Sequence, residues 1–121
     1  MTPQQGDGSL VIERTQVKNW AVLVLSGRMT AESAPEFERN CKAWIAEGHN
    51  RVIIDVGDLA YVSSMGLRSF LAIAKTLEDS GGSLGVCRLT GLVKQVFEIT
   101  GLTKAIRVYE SAESALMGGQ S

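Results

Sequence analysis

The chain has 121 residues, 45% of them hydrophobic and 21% charged, with a formal net charge of −1. That size fits one domain whose core needs neither disulfides nor metal. The balanced charge argues against a nucleic-acid groove, which requires a basic stripe to displace counterions, and no run approaches the ~20 apolar residues of a membrane-spanning helix.

Residues 1–8, "MTPQQGDG", are polar and glycine-bearing and read as a flexible N-terminus. The domain is expected over 9–117, with 118–121 as a C-terminal tail. "SLVIERT" (9–15) and "AVLVLSG" (21–27) read as two strands joined by a short polar connection. They lie too close for a crossover, so the pair is predicted to be antiparallel. The second is almost continuously apolar, the pattern of a strand buried on both faces.

A helix follows within 27–48. Ser33 and Glu36 have capping-box spacing, and Pro35 falls in the first turn. Phe37, Cys41, Trp44 and Ile45 form one apolar stripe, and Gly48 is a natural stop. "RVIIDV" (51–56) is then a central strand and "GDLAYV" (57–62) a connection. A second helix runs from Ser64 to Asp79 with Leu67, Phe70, Leu71, Ala74 and Leu77 turned inward, and "SGG" (80–82) ends it. "SLGVCRL" (83–89) is a strand. "GLVKQVFEITG" (91–101) is a short helix with Val93, Val96, Phe97 and Thr100 on one side. "AIRVY" (105–109) is the last strand and "SAESALMG" (111–118) a final helix capped by Ser111. The order β-β-α-β-α-β-α-β-α predicts an α/β fold: a mixed, mostly parallel central sheet with packed helices.

Chemistry-bearing residues are few. Cys41 and Cys87 form no C-x-x-C pattern and sit in apolar segments, as buried free thiols do. The single His49 and two scattered cysteines make a poor metal ligand set, and no phosphate-binding glycine motif occurs. Asp55 and Asp58 flank the end of the third predicted strand, where sites of open α/β sheets cluster. Turn chemistry and capping explain them as well. No catalytic residue, cofactor or metal is expected.

"YVSSMGLRSF" (61–70) is the most informative stretch. Ser63 or Ser64 can cap the second helix by accepting a bond from an orphan backbone N–H. Counting helically from Ser64, residues Arg68, Ala72 and Lys75 share its face, which is polar or small. Ser64 is therefore expected to face solvent at the first turn. A phosphate there would meet the positive end of the helix dipole and unpaired N–H groups.

"VIIDVGDLAYVSSMGLRSFLAIAKTLEDSGGSL" resembles the core of the STAS domain family, named for sulfate transporters and anti-sigma factor antagonists. "GRMTAESAPEF" and "VKQVFEITGLTKAIRVYESAESAL" extend the resemblance over roughly 9–117. It implies a stand-alone anti-sigma factor antagonist in a partner-switching pathway. In such proteins a serine after the strand-3 connection is phosphorylated by a kinase that is also the anti-sigma factor, with a histidine-kinase-like ATPase fold. A phosphatase of the PP2C type reverses the reaction. The family motif is commonly Asp-Ser-Ser/Thr-Gly-Leu. Aligned on Gly66-Leu67, Ser63 stands at the aspartate position, Ser64 at the phosphorylated position and Met65 next. The resemblance makes Ser64 the expected phosphosite, with Ser63 the alternative. Ser63, Ser64, Met65, Gly66, Arg68 and Lys75 become the expected partner surface, and Asp55 and Asp58 neighbours of the phosphosite.

The chain is expected to be cytoplasmic, to bind no nucleic acid, not to insert directly into a membrane, and to be a substrate with no catalysis of its own. The alternative is a non-switching STAS subunit docked on a lipid-transport permease and its ATPase. A serine hydrolase is the weakest reading, since "SSMG" is not G-x-S-x-G and His49 precedes the serines.

Overall fold

Two apolar segments form the centre of the sheet. The computed structural model describes residues 9–117, so the expected N-terminus (1–8) and tail (118–121) lie outside the described residues. β1 (Val11–Val17) runs antiparallel to β2 (Trp20–Met29). β3 (Arg51–Val62), β4 (Ser83–Cys87) and β5 (Arg107–Tyr109) continue parallel to β2, in the spatial order β1-β2-β3-β4-β5. The helices are α1 (Ala34–Ala46), α2 (Ser64–Asp79), α3 (Gly91–Ile99), α4 (Leu102–Ala105) and α5 (Ala112–Leu116). This is the expected mixed α/β sheet, with α4 as one added helical turn.

Alternation along the strands sorts the core into two layers. Leu23, Leu25, Val52, Ile54 and Val86 face the buried sides of α1, α2 and α3. Phe37, Phe70 and Phe97 join these three helices, with ring centroids 5.4 Å and 5.3 Å apart. On the other face Ile53, Cys87 and Tyr109 meet Ala115 of α5. Both cysteines are buried free thiols, as expected. Burial pushes each thiol up to about 12, with Glu38 adding at Cys41 and Asp55 adding at Cys87. Both stay protonated at neutral pH and act as packing groups.

Several local expectations are corrected. Residues 57–62 are strand, not connection: β3 continues alongside β2 as far as Val62 opposite Met29. Two irregularities lie between Asp55 and Tyr61. They place Val56, Leu59 and Val62, three residues apart, all in the core. The capping box at α1 does not form. Ser33 Oγ instead accepts a 2.8 Å bond from the backbone N–H of Thr30, which ties the β2–α1 loop to itself. On α2, Leu71 is exposed and the core positions are Phe70, Ile73 and Leu77. Trp44 is half-buried and carries the Arg14 guanidinium 4.8 Å from its ring centroid. On α3, Thr100 is an exposed C-cap, not a core residue.

The aromatic row predicts a steep contrast between neighbours on α2. Phe70→Ala should cost about 3–5 kcal/mol in urea unfolding. Leu71→Ala should cost less than about 1.5 kcal/mol, since much of that side chain already meets water. Equal costs would contradict the assignment of the α2 core face.

Candidate phosphorylation and partner-docking site

The site grows from the last rung of the β2–β3 ladder. The Ser63 N–H donates to the Met29 carbonyl at 2.9 Å. Ser63 has extended backbone (φ −82°, ψ 169°), and the chain turns into α2 at the next residue. The Ser63 hydroxyl accepts the Gly66 N–H at 3.1 Å, and its carbonyl accepts the Leu67 N–H at 3.0 Å. Ser63 is therefore the N-cap, committed to the helix start.

Ser64 is the first helical residue and is exposed. Its hydroxyl has no partner among the described residues, nor do the backbone N–H groups of Ser64 and Met65 find an acceptor there. Unpaired first-turn donors are normal for a helix. Here they lie beside a free hydroxyl, with no acidic side chain in the first turn. An added phosphate would meet a favourable dipole and no local carboxylate.

Around the serines the expected residues divide. Met65 is 40% exposed. Arg68 is exposed one turn beyond Ser64 and makes no ion pair among the described residues. Lys75 is exposed and pairs loosely with Asp79 at 3.8 Å. Gly66, expected in the partner surface, is buried: a Cβ there would come 2.7 Å from Val62 Cγ2 and 2.8 Å from Met29 Sδ. Its task is to let α2 settle onto the strand ends.

Asp55 and Asp58 lie along the sheet from the serines, not at them. Asp55 stands opposite Val24, five residues short of Met29 on β2, which is about 16 Å of strand. Its carboxylate accepts the Gly57 N–H at 2.9 Å and the Arg88 Nε–H at 2.9 and 3.1 Å. The second Arg88 nitrogen reaches Asp58 at 3.5 Å. The Asp55 hydrogen bond and charge raise the already high Arg88 pKa further. The pair pins the first irregularity of β3 to the end of β4. His49 precedes β3, at the end opposite the serines and about 30 Å away along the strand. It is 3.9 Å from Glu47 and pairs with neither Ser63 nor Ser64. No cluster of three or more metal-ligating side chains occurs among the described residues.

Two features escaped the sequence. Arg28 and Tyr61 form the rung just before Met29–Val62, with the guanidinium 4.4 Å from the ring centroid. Ser69, the third serine of "SSMGLRS", is buried, and its hydroxyl lies 3.3 Å from the Ala34 carbonyl and 3.1 Å from Glu38 Oε1. Glu38 also holds Lys42 at 2.8 Å, which keeps its carboxyl below the ordinary range. Ser69 thus braces α2 against α1 behind the exposed face. Its place on the buried side of the amphipathic α2 was the only available signal.

The family model of the STAS domain matches residues 11–115. The chain belongs to the STAS domain family. BtrV of Bordetella bronchiseptica, which bears the name of an anti-sigma factor antagonist, is 35% identical over 100 residues, covering 83% of this chain and 86% of that protein. The crystal structure of an anti-sigma factor antagonist from Mycobacterium paratuberculosis has the same fold, with a TM-score of 0.83 at 23% identity over 94% of this chain and 97% of that one. The Bacillus cell fate determinant SpoIIAA, solved in its phosphorylated form, shares the fold with a TM-score of 0.71 at 18% identity, over 93% and 100% of the two chains. Among the described residues, no helix of this STAS domain is long and apolar enough to cross a membrane.

The division of labour between the serines has a measurable consequence. Ser63→Ala should cost about 1 kcal/mol of stability through loss of the cap. Ser64→Ala should stay within about 0.5 kcal/mol. Chemical denaturation of both variants checks this, and a larger loss for Ser64→Ala would contradict the assignment.

Proposed function

We propose that this chain is a cytoplasmic anti-sigma factor antagonist whose partner binding is switched at Ser64. With Ser64 bare, it binds a serine kinase of histidine-kinase-like ATPase fold that doubles as the anti-sigma factor. Phosphorylation of Ser64 releases the kinase, and a PP2C-type phosphatase resets the switch. The chain is the substrate of this cycle and performs no catalysis.

The observation that carries this reading is the free, exposed Ser64 hydroxyl beside a serine already used as the cap. A kinase can modify Ser64 without breaking a bond that holds the fold. The new group adds close to two negative charges at neutral pH, enough to change a contact surface. Support also comes from BtrV, named as an antagonist, and from SpoIIAA, solved in a phosphorylated form. The proposed surface comprises Ser64, Met65 and Arg68, with Lys75 at its edge. Ser63 and Gly66 position it from beneath.

Fragment-ion mapping of the native protein should place one phosphate on Ser64. A phosphate on Ser63, or on neither serine under every growth condition, would contradict the assignment. Ser64→Asp should weaken the kinase complex, whereas Ser64→Ala should bind as wild type does and resist release by ATP. Equal affinity of the two variants would favour static docking over switching. Arg68→Ala should cost tenfold or more in affinity, as truncation of an interface arginine does, with little change in folding. Lys75→Ala should do less. Calorimetry showing Arg68→Ala indistinguishable from wild type would remove Arg68 from the interface.

A further inference from the structure

Leu71 breaks the amphipathic pattern of α2. It is 46% exposed, while Phe70, Ile73 and Leu77 on the same helix are at 0%. The core therefore makes little use of it. Its position is not random: Ser64, Arg68, Leu71 and Lys75 recur at i, i+4, i+7 and i+11 and form one outward stripe. Leu71 also forms the rim of a groove of about 460 Å³ between α2 and the starts of β4 and β5, with Ala74 and Leu84 among its walls.

We propose that Leu71 is the hydrophobic anchor of the partner complex, seated in an apolar pocket of the kinase/anti-sigma factor that is flanked by carboxylates. This rests on the switching role assigned to Ser64 above. Three considerations select that occupant. Leu71 lies about 10 Å along the helix from Ser64, and an ordinary interface of about 800 Å² per partner is roughly 30 Å across. A partner centred on Ser64 therefore covers Leu71. The residues on either side of Leu71 in the stripe are cationic. Arg68 has no carboxylate among the described residues, and the exposed Lys75–Asp79 pair at 3.8 Å leaves the lysine available. An acid-flanked pocket complements both. The same carboxylates would face a phosphate on Ser64, so one surface gives attachment in the bare state and repulsion in the modified state.

Calorimetry with the full chain and the purified kinase that phosphorylates Ser64 tests this. Leu71→Ala and Leu71→Gln should each bind at least tenfold more weakly, with melting temperatures close to wild type. Met117→Ala should bind normally, since that exposed methionine ends α5 on the opposite face of the sheet. Wild-type affinity should fall as salt is raised, as charge complementarity requires. If wild type binds and both Leu71 variants bind equally well, the anchor is wrong and the switching role stands. Absence of wild-type binding overturns both. Unfolding of both Leu71 variants would make Leu71 a core residue and also overturn the anchor.

Discussion

One hydrogen bond, from the Ser63 N–H to the Met29 carbonyl, sets the geometry of the proposed partner surface. It is the final rung between β2 and β3 and the point where extended chain becomes helix. The Ser63 hydroxyl then caps Gly66. Gly66, lacking a side chain, lets the first turn of α2 rest on Met29 and Val62. An alanine there would need one of those side chains to shift, and overpacking of this kind costs about 1–3 kcal/mol. Ser64, between the cap and the packed glycine, is held in place while its own hydroxyl has no partner among the described residues. Exposure of Ser64 follows from the tasks of its neighbours.

Much of this was legible in the sequence. The apolar runs of β2 and β3, the stripe of α1 and the order of elements follow from hydrophobic periodicity. Ser64 and Arg68 fall on the exposed face of α2 because helical counting needs no tertiary information. The second half of β3 was hidden for a definite reason. Gly57-Asp58 is a turn signal, and the two irregularities turn alternation into the spacing Val56, Leu59, Val62, which matches neither template. The role of Asp55 depends on Arg88, thirty-three positions later, which no local pattern can supply. Leu71 was misplaced because Phe70, Ile73 and Leu77 already fill the ground beneath α2.

The Arg88 contact shows how the scaffold is kept apart from the proposed switch. Arg88 adopts a left-handed backbone (φ 59°), an arrangement that costs a non-glycine residue about 1–2 kcal/mol. Its bonds to Asp55 and Asp58 offset that strain, and Gly57 leaves room for the guanidinium, which a Cβ would overlap. This charge cluster sits at the end of β4, away from the mouth of α2. At the helix mouth, by contrast, Ser64 and Arg68 have no side-chain partners among the described residues, and the charge is available to a visitor. The proposed modification at Ser64 would accordingly alter the surface and leave the packing of Phe37, Phe70 and Phe97 intact.

The central claim is that phosphorylation changes a surface and not a fold. Backbone amide correlation spectra of the bare and singly phosphorylated chain test it most directly. The account predicts large shifts for Ser64, Met65 and their neighbours up to Arg68. It also predicts an unchanged Gly66 cap bond and unchanged β3, α1 and α3 resonances. Shifts spread through β3 and the aromatic row, or a lost cap at Ser63, would contradict it.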